Sequence, residues 1–126
     1  MSTLNVSNIT DGTTTVGTSY VVNGAAKACG MIDMPPDFGS ANAIYASINV
    51  SSVTDDSTGN TTVALSSSFS SNTSKCVTTG AVLSNKLTAY ATTSSSASNI
   101  KLQTTDADSD SEQDQVQIFS ASGDLA

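Results

Sequence analysis

The densest run of ionisable side chains in the sequence is Asp106-Ala-Asp108-Ser-Asp110-Ser-Glu112. Carboxylates at alternate positions of a loop can converge on a calcium ion at about 2.4 Å. The loop pattern then breaks, because Ser111 stands where the sharp turn wants glycine and Gln117 stands where a bidentate glutamate belongs. The run reads instead as a solvated acidic hairpin tip, whose charge discourages edge-to-edge association. Asp55-Asp56 and the Asp33/Asp37 pair offer the residue types of glycoside hydrolysis, but all four sit in turn-like contexts. Cys29 and Cys76 are the only thiols, and the chain has no histidine to deprotonate either. Both read as small buried hydrophobes, free in a reducing compartment, with a bridge between neighbouring strands as the alternative.

Composition narrows the chemistry further. The 126 residues include four lysines, no arginine, no histidine and 11 acidic groups, for a net charge of −7. Without imidazole there is no Ser-His or Cys-His pair and no histidine metal ligand. Without guanidinium there is no bidentate phosphate fork, and four scattered lysines make no nucleic-acid footprint. No glycine-rich phosphate loop is present. The expectation is therefore a protein that is not an enzyme, holds no cofactor or metal, and binds no nucleic acid. Five Asn-x-Ser/Thr sequons begin at Asn5, Asn8, Asn49, Asn60 and Asn72. With nine asparagines and a third of the chain Ser or Thr, chance alone supplies about three, so they carry no glycosylation argument. No basic-apolar leader or run of membrane-span length is present, which predicts a soluble protein made in a cytoplasm, without a membrane partner.

The elements that must carry these residues are strands. Leu, Ile, Val and Phe total 25, about a fifth of the chain and a thin supply for a core. They fall on alternation rather than helical spacing. Val16, Thr18, Tyr20 and Val22 share one face of a period-2 run, as do Ile44, Ala46, Ile48 and Val50. The same holds for Val63, Leu65 and Phe69, for Leu87, Ala89 and Ala91, for Ile100 and Leu102, and for Val116 and Ile118. Turn clusters at Asn23-Gly24, Met34 to Gly39, Asp55 to Asn60, Ser71-Asn72, Gly80, Ser94 to Ser98 and Asp106 to Asp114 separate the runs. The pattern predicts an all-β chain, a small antiparallel β-sandwich of jelly-roll-like kind. Its clearest unit is a hairpin of Ala43–Val53 with Thr61–Phe69, closed by the Asp55–Asn60 turn. Residues 1–24 differ, with Leu4, Val6, Ile9 and Val16 set in a Ser/Thr/Asn background. They read as an extended N-terminal arm before a head domain at 25–126, and those four aliphatics as its partner-docking residues.

Three stretches carry a resemblance: Leu4-Asn-Val-Ser-Asn-Ile-Thr-Asp-Gly-Thr-Thr-Thr-Val16, Asn23-Gly-Ala-Ala-Lys-Ala28 and Ile48-Asn-Val-Ser-Ser-Val-Thr-Asp-Asp-Ser-Thr-Gly-Asn-Thr-Thr-Val63. They resemble small fibre-type virion proteins of tailed bacteriophages, notably of marine and cyanobacterial phages. The ending Val116-Gln-Ile-Phe-Ser-Ala-Ser-Gly-Asp124 is similar to that group's closing strand, with Ser-Ala-Ser inserted before Gly-Asp. Cys29 stands where the group commonly has Trp after Ala-Ala-Lys-Ala. The matches cover about half the chain, and Ser66 to Asp114 agree only in texture. The resemblance implies a homotrimeric β-sandwich on a phage particle, docked by its N-terminal segment onto the major capsid protein or a tail or baseplate protein. A chain this short fits a head-decoration, head-fibre or cement subunit better than a complete host-recognising fibre. The alternative is a tail-fibre adhesin module, with the Asp55–Asn60 and Asp106–Asp114 loops forming a distal face for a host receptor or glycan.

Overall fold

The computed structural model describes residues 6–10, 12–18, 24–33, 43–81, 87–92 and 95–126. In chain order the strands are β1 (Asn8–Thr10), β2 (Thr15–Gly17), β3 (Ala26–Asp33), β4 (Ala43–Ile48) and β5 (Val50–Ser57). They continue with β6 (Asn60–Leu65), β7 (Lys75–Ala81), β8 (Leu87–Ala91), β9 (Asn99–Asp106) and β10 (Gln117–Gly123), with a 3-10 turn at Asn72–Ser74. The protein is all-β, and every strand pairing is antiparallel. One sheet has the order β4-β3-β10-β7 and the other β5-β6-β9-β8, while β1 and β2 form a two-stranded sheet of their own.

Alternation explains the sandwich. Val63 and Leu65 of β6, with Ile100 and Leu102 of β9, turn inward as the period-2 runs require. They meet Ala28 and Ile32 of β3 and Phe119 and Ala121 of β10, and Phe69 fills the end of the core. Threonine also enters the interior. Buried Thr61 and Thr104 receive the amide of Gln117, itself fully buried, with Nε2 donating to their hydroxyls at 3.2 and 3.4 Å. Both amide protons of Gln117 thus have partners, while its Oε1 is buried without one.

Several sequence expectations need correction. The predicted strand Ala43–Val53 is two strands in different sheets, divided at Asn49. Asn49 has φ 60, and its side chain closes both ways on one residue: Nδ2 donates to the Ser67 carbonyl at 2.9 Å and Oδ1 accepts from the Ser67 amide at 2.7 Å. Asparagine tolerates this left-handed backbone better than the branched residues beside it. Ile44 does not stay in phase with Ala46, because a register shift lets Ala46 face Met31 while Ile44 faces Ile32. Val116 and Ile118 do not share a fate either, since Val116 is buried and Ile118 is 45% exposed. The inward set of β10 is Gln117, Phe119 and Ala121, one residue out of phase with the expected one.

Of two glycines assigned to turns by the sequence, one departs from that reading and one keeps it. Gly80 does not break the chain but lies within β7, where an added Cβ would come within 3.2 Å of the Ile118 side chain that leans over it. Gly59 is the turn residue proper, at φ 72 in the two-residue Thr58-Gly59 link between Ser57 and Asn60. An added Cβ there would meet the Thr104 carbonyl at 2.6 Å and the Gln113 amide at 2.8 Å.

Asn49→Ala should lower stability by about 1–3 kcal/mol, through two lost side-chain bonds and a strained φ. Asn49→Gly, which keeps the backbone freedom, should recover about 1 kcal/mol of that loss. Urea unfolding of the three proteins checks both figures.

Candidate docking surfaces

The arm is a hairpin where it is described. Ile9 lies directly across from Val16 in the β1–β2 register, so the two form a cross-strand aliphatic pair on one face of the ribbon. The Thr18 amide donates to the Ser7 carbonyl at 2.9 Å, and the Thr18 hydroxyl lies 3.1 Å from the carbonyls of Val6 and Ser7. Ile9 is 49% exposed, and Val6 and Val16 are exposed with it. Leu4, the fourth expected docking residue, lies outside the described residues. A two-stranded ribbon of this size is marginal in water and gains from having its aliphatic side covered.

A second apolar surface was not foreseen from the sequence. Outward-facing residues of the β4-β3-β10-β7 sheet align across all four strands in two rows. One row is Ile48, Cys29, Ser120 and Thr78; the next is Ala46, Met31, Ile118 and Gly80. Neither row contains a charge, and Ile48 is 57% exposed. The signal for this face was present in the alternation, but the phase of Val116-Gln117-Ile118-Phe119 is ambiguous because apolar residues occupy both parities.

The outer side of the other sheet is polar, with Thr54, Thr62 and Lys101 in one row and Asn60 beside Gln103 in the next. Asp56 is the extra residue of the register shift between Asp55 and Ser57. Its Oδ2 accepts from the Thr62 hydroxyl at 2.5 Å and from the Lys101 ammonium at 3.3 Å. These bonds move the Asp56 carboxyl below its usual value: Thr62 contributes most, partial burial opposes it, and Lys101 adds to the lowering. Asp55 takes no part in this group, so the two adjacent carboxylates do not act as a pair.

The two acidic loops do come together. The Gly59 amide donates to Asp114 Oδ1 at 2.6 Å, and the Gly59 carbonyl accepts from the Thr104 amide at 2.8 Å. Residues 107–112 are exposed, and the tip is organised by its own first aspartate. Asp106 Oδ1 accepts from the amides of Asp108 and Ser109 at 2.8 and 3.2 Å, so that oxygen is spent on its own turn. Among the described residues no three Cys, Asp or Glu side chains are grouped to hold a metal ion.

The thiols differ from expectation in burial. Cys29 is half-buried and Cys76 is exposed, and both are free. They sit on β3 and β7 with β10 between them, opposite Ser120 and Ser122 respectively. Two strand spacings of about 4.8 Å exceed the Cα separation a disulfide spans. Asp33 is buried and accepts from the Tyr45 hydroxyl at 3.2 Å, while Asp37 lies outside the described residues. Among the described residues no helix is long and apolar enough to cross a membrane. No family model matches the chain, and no curated protein or solved structure matches it.

Because the folded-state pKa of Asp56 lies below its unfolded value, its contribution to stability is present above the ordinary carboxyl range and is lost as pH falls through the folded value. The group is largely solvated, so the effect is small. Asp56→Asn should be slightly less stable than the parent at pH 7, with the melting temperatures converging well below about pH 4. Thermal melts across that range check the sign.

Proposed function

We propose that the chain is a structural subunit of a tailed-phage virion: a small homotrimeric head-decoration, head-fibre or cement protein attached by its N-terminal arm. The observation that carries this reading is where exposed aliphatic surface lies. Ile9 and Val16 pair on a ribbon that has its own sheet, while Ile48 and Ile118 rise from two uncharged rows on the outer face of the β4-β3-β10-β7 sheet. Two separate apolar surfaces suit a subunit that binds two things. In this reading the arm meets the major capsid protein or a tail or baseplate protein, and the sheet face meets copies of the same chain. A chain of net charge −7 repels its own copies wherever acidic surfaces meet, and the two uncharged rows are a place where that repulsion is least. Covering one exposed aliphatic contributes about 1.5–3 kcal/mol at full burial, so three or four per arm give a modest contact. Linking arms in one oligomer raises occupancy through effective concentration, which lets modest contacts decorate a particle stably. The resemblance to small phage fibre-type proteins supports the same reading, and the finished particle is then where the chain resides.

A second reading, a tail-fibre adhesin module that binds a host receptor or glycan, is favoured by the contact between the β5–β6 turn and residues 112–114, which joins the two polar loops at one end.

Deleting residues 1–24 should leave a folded oligomeric head that no longer binds particles, measured by light scattering and particle co-sedimentation. Ile48→Asp with Ile118→Asp should leave the fold intact by circular dichroism but reduce the mass to that of one chain. Particle binding by the truncated head as strong as that of the full chain would sink the arm assignment. An unchanged mass for the double variant would sink the sheet-face assignment.

A further inference from the structure

The polar side of the molecule contains a concavity that neither docking surface uses. A cleft of about 210 Å³ is lined by Asp56, Ser57 and Asn60 of the β5–β6 hairpin, by Lys101 and Leu102 of β9, and by Thr92. It has room for several waters, the space of one small polyol. Regular backbone frames it: Thr92 donates its amide to the Lys101 carbonyl at 2.8 Å, and Thr62 is the cross-strand neighbour of Lys101. Side chains on paired strands hold their positions better than side chains on a free loop.

The hydrogen-bond inventory of the cleft is unequal in a useful way. Asp56 uses Oδ2 for both Thr62 and Lys101, which leaves Oδ1 to accept. Lys101 uses one of its three ammonium N–H groups to donate to Asp56. Asn60 Nδ2 donates to the Ser57 hydroxyl oxygen at 3.2 Å and to the Thr58 carbonyl at 3.1 Å, so the Asn60 amide oxygen and the Ser57 proton are available to a ligand. The site thus offers strong acceptors and strong donors side by side, while its carboxylate and ammonium cancel in charge. A phosphate would gain Lys101 and be repelled by Asp56, and a metal ion would meet the reverse. A neutral vicinal diol satisfies both members, with one hydroxyl donating to Asp56 Oδ1 and its neighbour accepting from Lys101 Nζ. A further ring hydroxyl is then matched by Asn60 and Ser57.

We infer that this cleft is a subsite for one residue of a neutral saccharide. The inference deepens the adhesin reading and rests on its premise of glycan contact, but it is independent of where the arm attaches. The ion pair becomes the recognition element, and the Asp56–Thr62 bond holds its carboxylate in place. With no aromatic side chain among the described residues that line the cleft, a single site binds weakly, and several copies on one particle supply the avidity.

The test is a two-dimensional amide NMR titration of the full chain with glucose, galactose and mannose separately, and with inorganic phosphate as the anionic comparison. At least one hexose should shift the amides of residues 56–60, 92 and 101–102 in a saturable way, and phosphate should not. Asp56→Asn and Lys101→Met should each weaken that binding by about tenfold or more. Lys27→Met, on the other sheet, should leave it unchanged. Saturable shifts there with phosphate alone, no shift with any hexose, or hexose binding that survives both variants would each overturn the subsite. A glycan array run with the same proteins separates the two ideas. Array binding indifferent to Asp56→Asn and Lys101→Met removes the cleft and keeps the adhesin reading. An array with no binding, alongside a silent titration, removes both.

Discussion

The architecture depends on what happens at Asn49. A strand running from Ala43 to Ser57 without interruption would lie in one sheet, with its two halves sharing one set of neighbours. Instead the backbone takes φ 60 at Asn49, and the side chain holds the Ser67 amide and carbonyl together. The Asn49 carbonyl also accepts from the Ser66 amide at 3.2 Å. The corner is therefore fastened to the end of β6, the strand to which β5 must pair. One residue passes the chain from sheet to sheet and fixes the register of the hairpin beyond it. It also leaves β4 at the margin of one sheet and β5 at the margin of the other.

Those two margins have different chemistry. β4 reads Ala-Ile-Tyr-Ala-Ser-Ile, without charge or proline, and Ile44, Tyr45 and Ile48 on it are all exposed. β5 carries Asp55 and Asp56 and two register shifts, devices that discourage pairing with a further strand. The same contrast runs across the faces behind them, uncharged rows on one sheet and Thr, Asn, Gln and an ion pair on the other. The two sides of the sandwich thus meet water differently, one through hydrogen-bonding side chains and the other through exposed aliphatic ones.

Much of this fold was legible in the residues. Val63-Ala-Leu65 and Ile100-Lys-Leu102 have only one apolar parity, so burial of one face leaves no choice of phase. β10 has two, because Val116, Ile118 and Phe119 offer hydrophobic side chains on both sides. Its phase is decided by long-range partners, the hydroxyls of Thr61 and Thr104 that receive buried Gln117, and these lie 56 and 13 residues away in sequence. The two uncharged rows were hidden by that same ambiguity, since they line up only if Ile118 points outward. Asn49 looked like one sequon among five, and nothing local distinguishes a corner from a glycosylation motif. The arm aliphatics were legible as a set, whereas the pairing of Ile9 with Val16 depends on the turn between them.

The candidate cleft shows how a site arises from a fold rather than from a motif. Asp56 and Lys101 are 45 residues apart, and no spacing rule connects them. They meet because β6 lies between β5 and β9, which places Thr62 beside Lys101 and within reach of Asp56 at the register shift between Asp55 and Ser57. Asp56 follows Thr54 by two positions, so strand alternation already sends its side chain to the face of Thr62 and Lys101, where one carboxylate oxygen meets both. The register shift at that point disturbs the edge strand against further pairing, so the segment that brings an acceptor beside a donor is also the one that blunts the sheet edge.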